Sequence, residues 1–260
     1  MTTYELPSGQ TYNLFNDMIA QSHLLIAGAS GSGKSVLVNG LICTMLYDSP
    51  FDQTGGKQLI LLDPKRTELS QYKAVPHCMY HASEPEDMVN ALHFAIGITE
   101  ERYHEMQRYG LRKYNGSDVY VIIEELADLI TTQKRTVQPL IQRLCQIARA
   151  ARVHVWCITQ CPIREIVSTP IKCNFDGRVA LRTRCAQDSR NIIGVNGAEL
   201  LPRYGDCLYL TPDMVTVGRY SIPFIDEEEQ QHLIGWWAAQ KQEQEHTVKR
   251  GLFARLFGRR

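Results

Sequence analysis

The stretch Gly28-Ala29-Ser30-Gly31-Ser32-Gly33-Lys34-Ser35 constrains this chain more than any other. It follows the apolar run Leu24-Leu25-Ile26-Ala27 and precedes Val36-Leu37-Val38-Asn39-Gly40-Leu41-Ile42. Strand, glycine-rich loop and helix in that order are the setting of a phosphate-binding loop. Gly28 and Gly33 are expected to take backbone angles closed to other residues. Successive N–H groups from Gly28 to Val36 then face inward as an anion nest, at the positive end of the following helix. Lys34 is placed to reach the outer phosphates as a point charge, and the Ser35 hydroxyl to ligate Mg²⁺. The nucleotide implied is ATP with Mg²⁺.

The remainder of the chain reads as the α/β sheet such a loop needs. Its 260 residues are 44% hydrophobic and 22% charged, enough for one large α/β domain with small additions. Gln58–Leu62 is a short apolar run, the signature of a strand buried on both faces of a parallel sheet; Val119–Ile123 reads as the next buried strand, and Val153–Ile158 as a further strand. The first strand is expected over Ser22–Ala27 and the loop's helix to about Tyr47. Met88, Ala91, Leu92 and Ala95 give a helix over Pro85–Arg108, and Val137, Leu140, Ile141 and Leu144 a helix from about Thr136. Shorter strands are expected over Gly177–Leu181, Asp206–Leu210 and Val215–Tyr220, and helices over Gln187–Ile193 and Asp226–Lys241. The expected domains are a lead-in over 1–21, a motor core over 22–225, and a C-terminal helix with a basic tail over 226–260. Strands alternating with helices imply a mainly parallel central sheet covered on both faces. No CxxC pair occurs among the eight cysteines, so buried reduced thiols are expected. No apolar run is long enough for a transmembrane segment, and the expected location is cytoplasmic.

Three strands end in polar residues: Asp63, Glu124-Glu125 and Thr159-Gln160. Open parallel sheets bind ligands outside the carboxyl ends of their strands, which is where the loop also lies. Glu124 is read as the carboxylate that holds Mg²⁺ and Glu125 as the one that orients and polarises an attacking water. Gln160 is read as a sensor of the γ-phosphate or of that water. Net charge is zero, but residues 130–190 are lopsided. Lys134, Arg135, Arg143, Arg149, Arg152, Arg164, Lys172, Arg178, Arg182, Arg184 and Arg190 stand against Glu165, Asp176 and Asp188 alone. Such a segment can hold a phosphate backbone, supply arginine fingers to a neighbouring subunit, or be a solvated face with intramolecular pairs.

Several runs resemble the motor domain of the FtsK/SpoIIIE DNA translocases. These are His23–Gly28 leading into the loop, Leu62-Asp63-Pro64-Lys65 followed by Glu68-Leu69-Ser70, Glu125-Leu126-Ala127-Asp128-Leu129, Ala148-Arg149-Ala150-Ala151 and Thr159-Gln160-Cys161-Pro162. Asp188-Ser189-Arg190, Gly197-Ala198-Glu199 and Gly205-Asp206 continue the series in order. The resemblance covers about residues 20 to 220. It implies a RecA-like ATPase in a homo-hexameric ring around double-stranded DNA, with Arg149 favoured as the finger that completes a neighbour's site. The family usually has Asp-Glu where this chain has Glu124-Glu125. Its membrane-spanning N-terminus and sequence-reading winged helix are not expected here, and the sequence resembles a stripped motor of the sort used in plasmid or conjugative transfer, phage packaging or chromosome segregation. The tail Lys249–Arg260 mixes five cations with four large apolar residues and is read as a disordered tail, a DNA grip or a docking peptide for an accessory partner or anionic membrane. A secretion-type ATPase that engages protein is the alternative reading of the whole.

Overall fold

The computed structural model describes residues 3–5, 11–48 and 56–241. The chain opens with a small antiparallel pair, β1 (Thr3–Glu5) and β2 (Thr11–Asn13), followed directly by α1 (Leu14–Ala20). The Asn13 side chain caps α1 by accepting the Asn16 N–H at 3.1 Å. Next come β3 (His23–Ala27), α2 (Lys34–Asp48), β4 (Lys57–Leu62), β5 (Cys78–Ala82), α3 (Pro85–Tyr109), β6 (Asp118–Ile123), α4 (Leu126–Ile147) and β7 (Val153–Thr159). The chain continues through α5 (Thr169–Lys172), β8 (Gly177–Ala180), α6 (Ala186–Ile193), β9 (Asp206–Leu210) and β10 (Gly218–Ser221). A last helix, α7, covers 227–241.

Eight strands form the main sheet in the order β10-β9-β8-β3-β7-β6-β4-β5. The six from β8 to β5 run parallel, and β9 and β10 extend one edge antiparallel. Side chains alternate along each strand, so each buried strand feeds two cores. Leu25, Val121 and Val155 point to α3, α4 and α6 on one face. Leu24, Ile122 and Trp156 point to α1, α2 and α7 on the other. This is the RecA-like α/β arrangement expected, with helices on both faces.

The differences from expectation have local causes. The lead-in contains α1, whose Leu14, Phe15, Met18 and Ile19 are buried in the same core as α2. Ile234 and Trp237 of α7 join that core too. α1 and α7 therefore pack on the same core as α2. β5 lies at the sheet edge and is half-buried, so it lacks the continuous apolar run that marks β4. Helix α4 begins ten residues before Thr136, with Glu125 as its N-cap, and its geometry breaks at Gln133 (φ −138°, ψ 35°). β10 starts at Gly218, beyond the fully exposed Val215. All eight cysteines are unpaired. Cys43, Cys145, Cys157 and Cys207 are buried, whereas Cys173 and Cys185 are exposed. Among the described residues no helix is long and apolar enough to cross a membrane. The Lys249–Arg260 tail lies outside the described residues.

Candidate active site

The phosphate-binding loop crosses the carboxyl ends of the central strands because its backbone is bonded to them. The Gly28 N–H donates to the Thr159 carbonyl at the end of β7 (3.3 Å), and the Ala29 N–H to the Arg182 carbonyl just past β8 (2.8 Å). Left-handed angles are needed at Gly31 (φ 68°) and Gly33 (φ 96°). Gly28 is not one of these positions. Its constraint is space, since a Cβ there would meet Ser32 Oγ at 2.7 Å and Leu181 Cβ at 2.9 Å. Lys34 begins α2 and is buried, and its ammonium donates to the carbonyls of Gly28 (2.9 Å) and Ala29 (2.8 Å). Burial lowers its pKa to about 8, against the pull of the Glu125 and Glu124 carboxylates.

The two acids after β6 diverge. Glu125 turns inward, 3% exposed. Its Oε1 accepts from Thr159 Oγ1 (2.8 Å), the Gln160 N–H (3.2 Å) and the Ala127 N–H at the start of α4 (3.4 Å). Its Oε2 faces Lys65 Nζ at 3.3 Å and again the Gln160 N–H. Gln160 is thus tied to the cluster through its backbone. Glu124 faces the loop instead. It shares a small cavity with Lys34, Ser35, Val38, Asn39, Glu68 and Ile158. Its Oε2 is buried without a partner, and burial raises its pKa to about 7.

That shift gives a test on the nucleotide-free protein. Between pH 4.5 and 7 the folded state keeps a proton on Glu124 that the unfolded chain has released, so stability falls as pH rises through that window. Glu124→Gln removes the effect. Its stability advantage over the parent should be absent near pH 4 and full by pH 8 in denaturant titrations. Equal curves at both pH values would mean that Glu124 is not desolvated.

Two residues near the loop were not marked as site residues by the sequence pattern. Ser35 Oγ donates to Glu68 Oε1 at 2.7 Å. A Cβ on Gly31 would lie 3.7 Å from Arg203 Nη2, so that cation flanks the loop. Arg149 is not part of the cluster. It lies at the opposite end of the strands, in a pocket shared with Lys57, Asp118 and His154, and is mostly exposed with Asp176 at 3.6 Å. The basic segment is partly neutralised within the chain. Arg152 pairs with Asp118 and Arg184 with Asp188, while Arg178 and Lys172 donate to backbone carbonyls.

The residues present fit a magnesium nucleotide. The loop offers N–H donors and a buried ammonium, and the buried Ser32 hydroxyl and Glu124 Oε2 stand without protein partners beside it. Fold and loop together define a P-loop ATPase architecture. Residues 4–118 match the FtsK/SpoIIIE family. A relative named DNA translocase FtsK, from Chlorobaculum tepidum, is 36% identical over 236 residues, covering 83% of this chain and 29% of that protein. The chain belongs to the FtsK/SpoIIIE family, and it spans about a third of the length of the curated relatives it matches. Among solved structures, the conjugation coupling protein TcpA of pCW3 superposes with a TM-score of 0.74 at 16% identity, over 90% of this chain and 70% of that one. The type VII secretion ATPase EccC of Thermomonospora curvata gives 0.69 at 18% identity, over 83% and 28%. At these identities the structural matches establish the fold.

Proposed function

We propose that this chain is the ATP-hydrolysing motor of a double-stranded DNA translocase, working in the cytoplasm as a homo-hexameric ring. The observation that carries the proposal is the convergence of the glycine loop, Lys34, Ser35 and the Glu124-Glu125 pair at the carboxyl ends of the central strands, in a family whose matched relative is named for DNA translocation. Lys34 and the loop N–H groups hold the outer phosphates. Ser35 and Glu124 would hold the metal. A magnesium ion held there would supply positive charge against the charge developing on the phosphates. Glu125 orients and polarises water, and Gln160 reports the state of the site. Arg149, remote from its own loop and exposed, suits a finger offered to the next subunit's nucleotide. Lys134, Arg135, Arg143, Arg164 and Arg182 are exposed and form no ion pair among the described residues, which leaves them for a phosphate backbone. The Lys249–Arg260 tail is a candidate recruiting segment for a partner.

ATP turnover measured with and without linear duplex DNA tests the proposal. Turnover should rise severalfold with duplex and should climb with protein concentration as rings assemble. Duplex-independent turnover would favour the secretion-type alternative, in which the activator is a protein.

A further inference from the structure

We propose that Glu68 is a positioning residue of the metal site: it accepts the Ser35 hydroxyl proton and so aims that oxygen's lone pairs at Mg²⁺. The inference rests on the nucleotide reading above and adds a third carboxylate to it.

The need for another acid at the loop follows from Glu125. Its two oxygens already meet Thr159, Ala127, Gln160 and Lys65, and it does not line the cavity in front of Ser35. Of the pair after β6, only Glu124 does. The second acid on that cavity is Glu68, which arrives from the segment after β4, at the 2.7 Å contact with Ser35. A hydroxyl has one proton and two lone pairs. With the proton donated to Glu68, the lone pairs remain for a cation. Groups that orient a ligand in this way typically change metal affinity by about 10–100-fold when removed.

Glu68 is held in place by its own segment. Asp63 is fully buried at the end of β4. Its Oδ2 accepts from the Leu69 N–H, the Ser70 N–H and Ser70 Oγ, each at 3.0 Å. Gln71 Nε2 donates to the Glu68 carbonyl at 2.9 Å. Leu69 and Tyr72, which follow it, are fully buried, and Tyr72 OH donates to Asn39 Oδ1 at 3.0 Å, tying the segment to α2. A carboxylate on so constrained a backbone is positioned, not a loose surface charge.

The test is binding of a fluorescent ATP analogue, titrated with Mg²⁺ and repeated in EDTA. Glu68→Ala should raise the Mg²⁺ concentration for half-maximal binding by about 10–100-fold and leave metal-free nucleotide affinity unchanged. Glu68→Gln keeps an oxygen that can accept the Ser35 proton and should recover part of the loss; it also guards against a folding defect in the alanine variant. An unchanged Mg²⁺ requirement in Glu68→Ala overturns the assignment. So does tighter nucleotide binding with and without metal, which would make the Ser35–Glu68 contact a latch that nucleotide must break. If the parent itself binds no nucleotide, the underlying site reading fails and this one with it.

Discussion

Lys34→Ala should lower ATP hydrolysis by about 10³-fold while leaving the fold intact. Lys34 is 7% exposed, and its ammonium is held by two loop carbonyls, Gly28 and Ala29. With its pKa lowered to about 8 it remains mostly charged at pH 7, so nucleotide would meet a preformed cation. Losing one preorganised electrostatic donor costs roughly 10²–10³ in turnover, and the loss here should be at the upper end because no other cation shares the small cavity of the loop. The stability cost is limited. Two hydrogen bonds of about 1 kcal/mol each are lost, one to a buried and one to a part-buried carbonyl, and alanine suits the first position of α2. Relief from burying a charge offsets part of that. Steady-state ATPase assays, nucleotide titrations and a thermal melt separate the possibilities. Parental turnover in a folded variant would remove Lys34 from the mechanism.

What the sequence made legible follows from how each element is stabilised. β3, β4, β6 and β7 are buried on both faces over most of their length, so their buried stretches are mostly apolar and stand out from the rest of the chain. β5 and α1 bury one side only, at the margin of the sheet or of the core, and their mixed composition resembles that of loops. Helix α4 is amphipathic on both sides of Gln133, but the break removes the regular phase that would join its halves. In the site, the contiguous features were readable: the loop, Lys34-Ser35 and the Glu124-Glu125 pair are each set by neighbouring positions. The Ser35–Glu68 contact is different. It joins residues 33 apart across a segment shaped by the buried Asp63 carboxylate, and no periodicity encodes it. Arg203 beside Gly31 is a tertiary neighbour of the same kind. The lopsided charge of 130–190 was visible as a count, whereas its partial neutralisation depends on register and fold, as in the Arg152–Asp118 pair that links the starts of β6 and β7.

Glu125→Gln should retain nucleotide binding and lower turnover by about 10²–10⁴, the range for loss of a positioned acid or base. The structure makes this substitution cleaner than removal of the side chain. A glutamine oxygen at the Oε1 position can still accept from Thr159 Oγ1, the Gln160 N–H and the Ala127 N–H, so the cap of α4 and the link to β7 survive. At the Oε2 position an NH₂ group replaces the oxygen that faces Lys65 at 3.3 Å, and two donors then oppose each other. Lys65 is 38% exposed and can turn to solvent, which keeps the stability penalty small. The variant therefore loses charge at one oxygen with little change of shape, and charge is what polarising water requires. Glu125→Ala, by contrast, would leave four donors, Thr159 Oγ1, the Gln160 and Ala127 N–H groups and Lys65 Nζ, without their acceptor and should lower the melting temperature as well. The discriminating measurement is the ratio of turnover to nucleotide affinity in Glu125→Gln beside Glu124→Gln. If Glu125→Gln turns over at the parental rate while Glu124→Gln is inactive with nucleotide binding retained, Glu125 is a structural clasp for Thr159, Gln160 and α4, and Glu124 is the residue that acts on water.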